Sequence, residues 1–183
     1  SVVRPNQDFR GFAGRLSAGA VKPGDAVRLM PSGRTAKITR IVTADGDLPQ
    51  AIAGQSVTLT LDQEIDCSRG DVIAAADAPC EIADQFQATI VWMSETPLFP
   101  GRRYIMKIGA AEAKATITEI RHGFDIESFQ HTPVKQLDAN AIGVCNVSLD
   151  RNIPFDPFEQ NRETGGFILI DPDSNETAGA GLI

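Results

Sequence analysis

Apolar and polar residues alternate along most of this chain, which is typical of β-strands with one buried face. The clearest run is Val57-Thr-Leu-Thr-Leu61, in which every second residue is apolar. The same period recurs in four further sets of residues: Phe86, Ala88, Ile90 and Trp92; Tyr104, Met106 and Ile108; Ala113, Ala115 and Ile117; and Cys145, Val147 and Leu149. A sustained helical stripe is absent from the sequence, and residues 125–136 come nearest to a helical or irregular pattern.

Turn-forming residues separate these runs. They occur at Lys22-Pro-Gly-Asp25, Pro31-Ser-Gly33, Asp45-Gly46, Ser68-Arg-Gly-Asp71, Pro100-Gly101 and Asp171-Pro-Asp-Ser-Asn175. The Asp45-Gly46 pair is a strong signal for a tight hairpin. Strands that follow one another at intervals of about 8 to 12 residues indicate a sandwich or barrels. We therefore predict the all-β class.

A stretch of small residues, Ala74-Ala-Ala-Asp-Ala-Pro-Cys80, separates two series of strands. The series before it spans about 80 residues and the one after it about 100, and each length suits a domain. We predict two tandem antiparallel β-barrels, formed by residues 1–79 and 84–183.

Composition and charge narrow the classes of function. Apolar residues make up 42% of the chain, which indicates a folded protein. The net charge of −7 argues against a nucleic-acid partner, because phosphates favour a basic surface. Three cysteines leave one over from any disulfide and favour a reduced, cytoplasmic protein. The apolar runs are too short to span a membrane, so we expect no membrane partner.

Four motifs of the first half follow one another in a characteristic order. They are Phe9-Arg-Gly-Phe-Ala-Gly14, Gly19-Ala-Val-Lys-Pro-Gly-Asp25, Ala53-Gly-Gln-Ser-Val57 and Ser68-Arg-Gly-Asp71. This series resembles the second domain of translation GTPases of the elongation factor Tu class. Three motifs of the second half resemble the third domain of that class: Val91-Trp-Met-Ser-Glu95, Pro100-Gly-Arg-Arg-Tyr104 and Gly179-Ala-Gly181.

Further details resemble the GTPase large subunit of bacterial sulfate adenylyltransferase. They are Ile41-Val-Thr-Ala-Asp-Gly-Asp47, Glu64-Ile-Asp66 and Asn161-Arg-Glu-Thr-Gly-Gly-Phe-Ile-Leu-Ile-Asp171. The chain departs from that family at Ala141, where an acidic residue is frequent, and at Phe158, where tyrosine is frequent. Neither departure threatens the fold, although a lost carboxylate at Ala141 could alter a partner interface.

The resemblance implies a role in the synthesis of adenosine 5′-phosphosulfate from ATP and sulfate. In that family a small ATP-pyrophosphatase-type subunit transfers the adenylyl group, and the large subunit hydrolyses GTP with Mg²⁺ in an N-terminal P-loop domain. This sequence contains no Gly-x-x-x-x-Gly-Lys-[Ser/Thr] motif. We therefore expect no cofactor within this chain, and a non-catalytic module that couples GTP hydrolysis in an absent N-terminal domain to the small subunit.

The resemblance also implies the partners. They are the chain's own N-terminal GTPase domain, the small catalytic subunit and, as in some relatives, a fused adenylylsulfate kinase domain. Because the chain begins at Ser1 with a strand almost at once, we expect it to be a piece of a longer protein.

Candidate chemical groups have simpler structural explanations. His122 and His131 lie nine residues apart, without the three or four converging ligands of a metal site. Cys67 and Cys145 pair with no histidine in a recognisable motif, which favours buried thiols. Paired carboxylates such as Asp171 and Asp173 straddle turn residues. We predict no catalytic residue and no metal ligand.

Two places are candidates for an interface. Arg10 lies among bulky neighbours, including Phe12, on the strand that would meet the missing GTPase domain, and its guanidinium suits a carboxylate across an interface. Arg121 and His122 lie at the end of a long strand and form the second candidate. An ordinary solvated strand residue is the alternative for Arg10.

A different function remains open for the same barrels, namely the binding of aminoacyl-tRNA in a translation factor. The acidic charge and the presence of one Trp and one Tyr for base stacking argue against it.

Overall fold

The computed structural model describes residues 2–6, 9–124 and 130–183, with residues 4–6 described by their backbone alone. Part of the segment 125–136, which came nearest to a helical pattern, therefore lies outside the described residues. The chain divides into two compact units, Ser1–Glu81 and Ile82–Ile183. In the described part, strands account for almost all regular structure, and the prediction of an all-β chain with two antiparallel barrel domains is confirmed.

The first unit is a seven-stranded antiparallel sheet with an additional two-stranded ladder. Its strands are β1 Val2–Asn6, β2 Phe9–Arg15, β3 Ala20–Val21, β4 Ala26–Met30, β5 Arg34–Thr43, β6 Gly46–Asp47, β7 Ala51–Ile52, β8 Ser56–Leu61 and β9 Val72–Ala75. The main sheet has the order β1-β2-β8-β5-β4-β9, β6 extends β5, and β3 pairs with β7. The hairpin predicted at Asp45-Gly46 is confirmed, since Thr43 pairs with Gly46 across the turn.

The second unit is a closed barrel of six strands. Its elements are β10 Glu81–Trp92, β11 Arg103–Ile108, β12 Ala111–Phe124, β13 His131–Thr132, β14 Ile142–Phe155, α1 Arg162–Gly165, β15 Gly166–Ile170 and β16 Thr177–Leu182. The order β11-β15-β16-β10-β14-β12 is closed by pairing between β11 and β12. Closure leaves no free edge among these six strands, which protects the barrel from pairing with other chains.

The period-two pattern of the sequence gives the barrel its interior. On β10, Ala88, Ile90 and Trp92 are all buried, as the alternation predicted. The Trp92 ring packs edge-on against Tyr104 with ring centroids 5.3 Å apart. Gly181 of β16 faces the same interior, where an added Cβ would lie 2.2 Å from Cζ of Phe167. The inward glycines of β16 therefore make room for aromatic rings.

Candidate functional site

Arg10 of β2 is bound to its own unit. Its Nη2 donates to the carbonyl of Ile65 and to Oδ1 of Asp66, both at 2.9 Å. The guanidinium carbon lies 5.6 Å from the centre of the Phe12 ring, and that ring is buried. Arg10 thus pairs with a carboxylate, and this carboxylate belongs to the segment between β8 and β9. Arg10 therefore holds that segment against β2.

Arg121 and His122 lie near the end of β12, beside the short strand β13. The rings of His122 and His131 are stacked, with centroids 4.0 Å apart and planes 10° from parallel. The Phe124 ring stands nearly perpendicular to both. Burial lowers the pKa of His122, and the neighbouring charges of His131 and Arg121 act in the same direction. The lowered pKa favours the neutral form of His122, and its ring forms part of an aromatic cluster.

This histidine pair does not have the geometry of a metal site. The nitrogen lone pairs of stacked imidazoles lie in two nearly parallel planes, whereas the lone pairs of metal ligands converge on one point. Within residues 2–6, 9–124 and 130–183, no three side chains of His, Cys, Asp or Glu are grouped for a metal ion. Asp125 and Glu127, which lie between the two histidines in the sequence, are outside the described residues.

The cysteines and turn carboxylates are engaged in the fold. Burial raises the pKa of Cys145 to about 12, so its thiol stays protonated and weakly nucleophilic. Burial, followed by the charge of Asp71, raises the pKa of the half-buried Cys67. Asp171 accepts hydrogen bonds from the backbone N–H groups of Asp173 and Ser174 at 2.9 and 3.4 Å. Its other oxygen accepts from Arg102 at 2.8 Å.

An open groove crosses the outside of the first unit between β1, β2, β5 and β8. Its lining is mainly small and apolar and includes Phe9, Ala13, Val42 and Val57. Its described lining residues bring together no set of acids, bases or nucleophiles.

The second unit has an exposed apolar surface that the sequence analysis missed. Val91 of β10, Met93 directly after the end of β10, Ile168 of β15 and Leu182 of β16 face outward and are between 36 and 45% exposed. We call these four residues the outer apolar patch. The signal was present in the sequence, because Ile90-Val-Trp-Met93 and Phe167-Ile-Leu-Ile170 are apolar at every position and not at alternate ones. A strand with apolar residues on both faces is typically covered on both faces by other parts of a protein.

Acidic residues follow the strands of this patch. Glu95 lies just beyond β10, and Asp173 and Glu176 lie in the turn between β15 and β16; all three are exposed. The N–H groups of Met93 and Ser94 both donate to the carbonyl of Ala178, which brings the end of β10 beside the start of β16. The outer apolar patch therefore has an acidic border at one end of the barrel.

Family models match both units. Residues 13–74 match elongation factor Tu domain 2, and residues 85–183 match the GTP-eEF1A C-terminal domain-like family. Among the described residues, no helix is long and apolar enough to cross a membrane.

The whole chain also matches curated proteins over 182 residues. It is 50% identical to the bifunctional enzyme NodQ of Azospirillum brasilense and covers 29% of that protein. It is 47% identical to the bifunctional enzyme CysN/CysC of Xylella fastidiosa, of which it covers 29%. It is also 47% identical to sulfate adenylyltransferase subunit 1 of Vibrio atlanticus, of which it covers 38%. The chain thus spans about a third of the length of these relatives.

Solved structures share the fold. The crystal structure of Sup35 complexed with GDP matches 100% of this chain with a TM-score of 0.88 and 21% identity, over 45% of its own length. Sup35 complexed with GMPPNP matches 94% of this chain with a TM-score of 0.85 and 20% identity, over 43% of its own length. At such identity the likeness concerns the fold alone.

Proposed function

This chain belongs to the family of GTP-eEF1A C-terminal domain-like proteins, and we propose that it is the non-catalytic coupling module of a sulfate adenylyltransferase subunit 1. In this role the two barrels link GTP hydrolysis in an N-terminal domain to the synthesis of adenosine 5′-phosphosulfate from ATP and sulfate. A small ATP-pyrophosphatase-type subunit performs the adenylyl transfer. GTP and Mg²⁺ bind to the N-terminal domain, outside this chain.

The identity of 47% over the whole chain with a sulfate adenylyltransferase subunit 1 carries the proposal. The state of the reactive side chains supports a module that does no chemistry itself. Cys145 is a buried thiol, Asp171 closes a turn, and Arg10 holds a neighbouring segment. The sequence also contains no P-loop to hold a nucleoside triphosphate.

Coupling requires that the barrels contact their partners differently in the two nucleotide states. A contact of equal strength in both states transmits no free energy. Arg121 is exposed and His122 is half-buried, and both remain candidates for such a contact. Arg10 keeps an indirect candidate role, because the segment that it holds includes the fully exposed carboxylate of Asp66.

We further propose that the parent protein carries an adenylylsulfate kinase domain. Two of the relatives are named bifunctional enzymes, and this chain covers 29% of each. The third relative, of which the chain covers 38%, is named as a single subunit. The mass of the native chain distinguishes the two arrangements.

The experiment compares the full-length protein with a variant from which these 183 residues are removed, each mixed with the small subunit from the same source. We expect GTP to stimulate adenosine 5′-phosphosulfate synthesis with the full-length protein and not with the truncated one. Nucleotide binding by the truncated protein shows that its GTPase domain is folded. Equal stimulation by both proteins contradicts the proposal.

The isolated 183-residue chain provides a second test. We expect it neither to hydrolyse GTP nor to bind tRNA in a filter assay at low salt. Binding of tRNA by the isolated chain, with no effect on sulfate activation in the full-length protein, favours a translation-type function instead.

A further inference from the structure

We propose that the outer apolar patch, with its acidic border, is the surface on which the separate catalytic subunit docks. This inference rests on the proposed function, which supplies that subunit as a partner. The subunit is expected to present an apolar centre flanked by lysine or arginine.

Strand register makes the patch continuous. Ala180 of β16 pairs with Val91 on one side and with Ile168 on the other, so the three residues form one row across three strands. Leu182 lies two residues beyond Ala180 on β16, and the exposed Met93 lies two residues beyond Val91, directly after the end of β10. Residues two apart on a strand face the same side. All four large side chains therefore share one outer face of the barrel.

The patch is unusual for an outer barrel surface. Eight large hydrophobic residues are exposed in the described part of the chain, and the patch contains four of them, three on adjacent strands and Met93 directly after β10. The inward neighbours Ile90 and Trp92 are at most 1% exposed, so the core already has its own side chains. Contiguous exposed apolar surface of this kind marks interaction sites in soluble proteins.

The patch extends towards the aromatic cluster of β12. The N–H of Trp92 donates to the carbonyl of Ala141, which places Ile142 of β14 beside Val91. Ile142 in turn pairs with Phe124, whose ring contacts His122 and His131. A partner seated on the patch thus reaches the second interface candidate of the sequence without leaving this face.

The charge of the acidic border favours one kind of partner. Among the described residues, none of Glu95, Asp173 and Glu176 takes part in an ion pair. Two nearby cations are already paired: Arg102 with Asp171, and Lys107, which lies opposite Ile168, with Glu112. The border therefore has an uncompensated negative charge. Complementary charge accelerates and orients association, which favours a partner with a basic border.

The same charge argues against a second copy of this chain. In a twofold-symmetric dimer each patch would face its own copy, and where the axis runs along the patch towards its acidic end, the acidic borders would approach each other. Like charges across an interface oppose association. The chain as a whole has a net charge of −7, which adds to this repulsion. A different protein is the better occupant.

The test measures binding of the small subunit to the full-length protein by biolayer interferometry. Val91→Lys and Ile168→Lys place a charge in the centre of the patch, and we expect each to raise Kd by about tenfold or more. Glu176→Lys is expected to raise Kd as well and to weaken the dependence of Kd on salt. Ser148→Lys, on the outward side of β14 opposite Thr116, is the matched control, and we expect its Kd to remain within about twofold.

Folding of every variant is checked by circular dichroism of the full-length protein. If folded patch variants bind like the wild type, the inference is wrong while the proposed function stands. If the wild-type protein does not bind the small subunit, the proposed function fails as well. Self-association of the wild type that the patch variants abolish identifies a second copy as the occupant and also overturns the inference.

Discussion

Asn140 shows how a single residue shapes the barrel. Its φ is 65°, in the left-handed region that asparagine and glycine tolerate best. Trp92 lies opposite two residues here. Its N–H donates to the carbonyl of Ala141, and its carbonyl accepts from the N–H of Asn140. This arrangement is a β-bulge with a left-handed first residue. The bulge ends the pairing of β10 with β14 beside the outer apolar patch.

Replacing Asn140 tests this assignment. We expect Asn140→Val to lower the free energy of unfolding by about 1 to 2 kcal/mol, because a β-branched residue is strained at this φ. Asn140→Gly, which keeps the backbone unstrained, is the control and is expected to retain the wild-type value or exceed it. Urea denaturation followed by Trp92 fluorescence measures both. Equal loss in the two variants would show that the side chain and not the backbone matters.

Asp171 makes the stability of the fold depend on pH. The hydrogen bond from the N–H of Asp173, with those from Ser174 and Arg102, lowers the pKa of this carboxyl below its usual value. A lowered pKa in the folded state stabilises the fold above the unfolded pKa of about 3.9, and this stabilisation is lost as the pH falls. Asp171→Asn should therefore be destabilising at pH 7, with a difference from the wild type that shrinks below about pH 4. Unfolding measured from pH 7 to 3 checks this, and a constant difference would contradict it.

At the scale of elements, the end of the chain is locked into the second unit. The N–H of Ile183 donates to the carbonyl of Gly165, and its carbonyl accepts from the N–H of Phe158, both at 2.9 Å. Asn161 caps the short helix α1 between these contacts by accepting from the N–H of Glu163. Ile183 thus lies between the backbone at Phe158, before α1, and the backbone at Gly165, at the end of α1. This close approach leaves no space for a side chain at Gly165.

Gly165→Ala is expected to destabilise the second unit. An added Cβ would lie 2.4 Å from both N and Cα of Phe158, and backbone atoms yield little. Overpacking of this kind costs about 1 to 3 kcal/mol. Gly14→Ala is the control, because no atom lies within 4 Å of its added Cβ. Thermal unfolding by circular dichroism measures both, and an unchanged Tm for Gly165→Ala would contradict the packing argument.

At the scale of the whole molecule, the described residues form two separate hydrophobic cores. One is formed by the first unit around Ile38 and Ile41, and the other by the barrel around Trp92 and Met106. The single Trp and the single Tyr of the sequence both lie in the second unit. Fluorescence of Trp92 therefore reports on that unit alone.

The second unit is expected to fold without the first. Its six barrel strands close on themselves, and about 100 residues suffice for a stable core. A fragment of residues 82–183 should show the blue-shifted emission of a buried Trp92 and a cooperative unfolding transition. The full chain serves as the reference for both signals. Emission like that of the urea-denatured fragment would show that the first unit is needed for folding.

Part of the candidate site could be predicted from the sequence and part could not. Arg121 and His122 attract notice as polar residues that end a long alternating strand. Arg10 does so as well, but its partners Ile65 and Asp66 lie 55 and 56 residues away, and strand periodicity carries no information at that range. The outer apolar patch was visible as apolar runs, yet those runs could equally have been buried on both faces.

The sequence by itself determined the strands, the turns and the family. Alternation and turn chemistry act between neighbours in the chain, and the ordered motifs carry the resemblance. Only the tertiary structure decided that β11 pairs with the distant strand β15 in a closed barrel, and that Val91 and Ile168 flank Ala180 on its outer face. Burial depends on which distant residues meet across a sheet. The hydrophobic effect favours covering apolar surface without specifying which partner covers it.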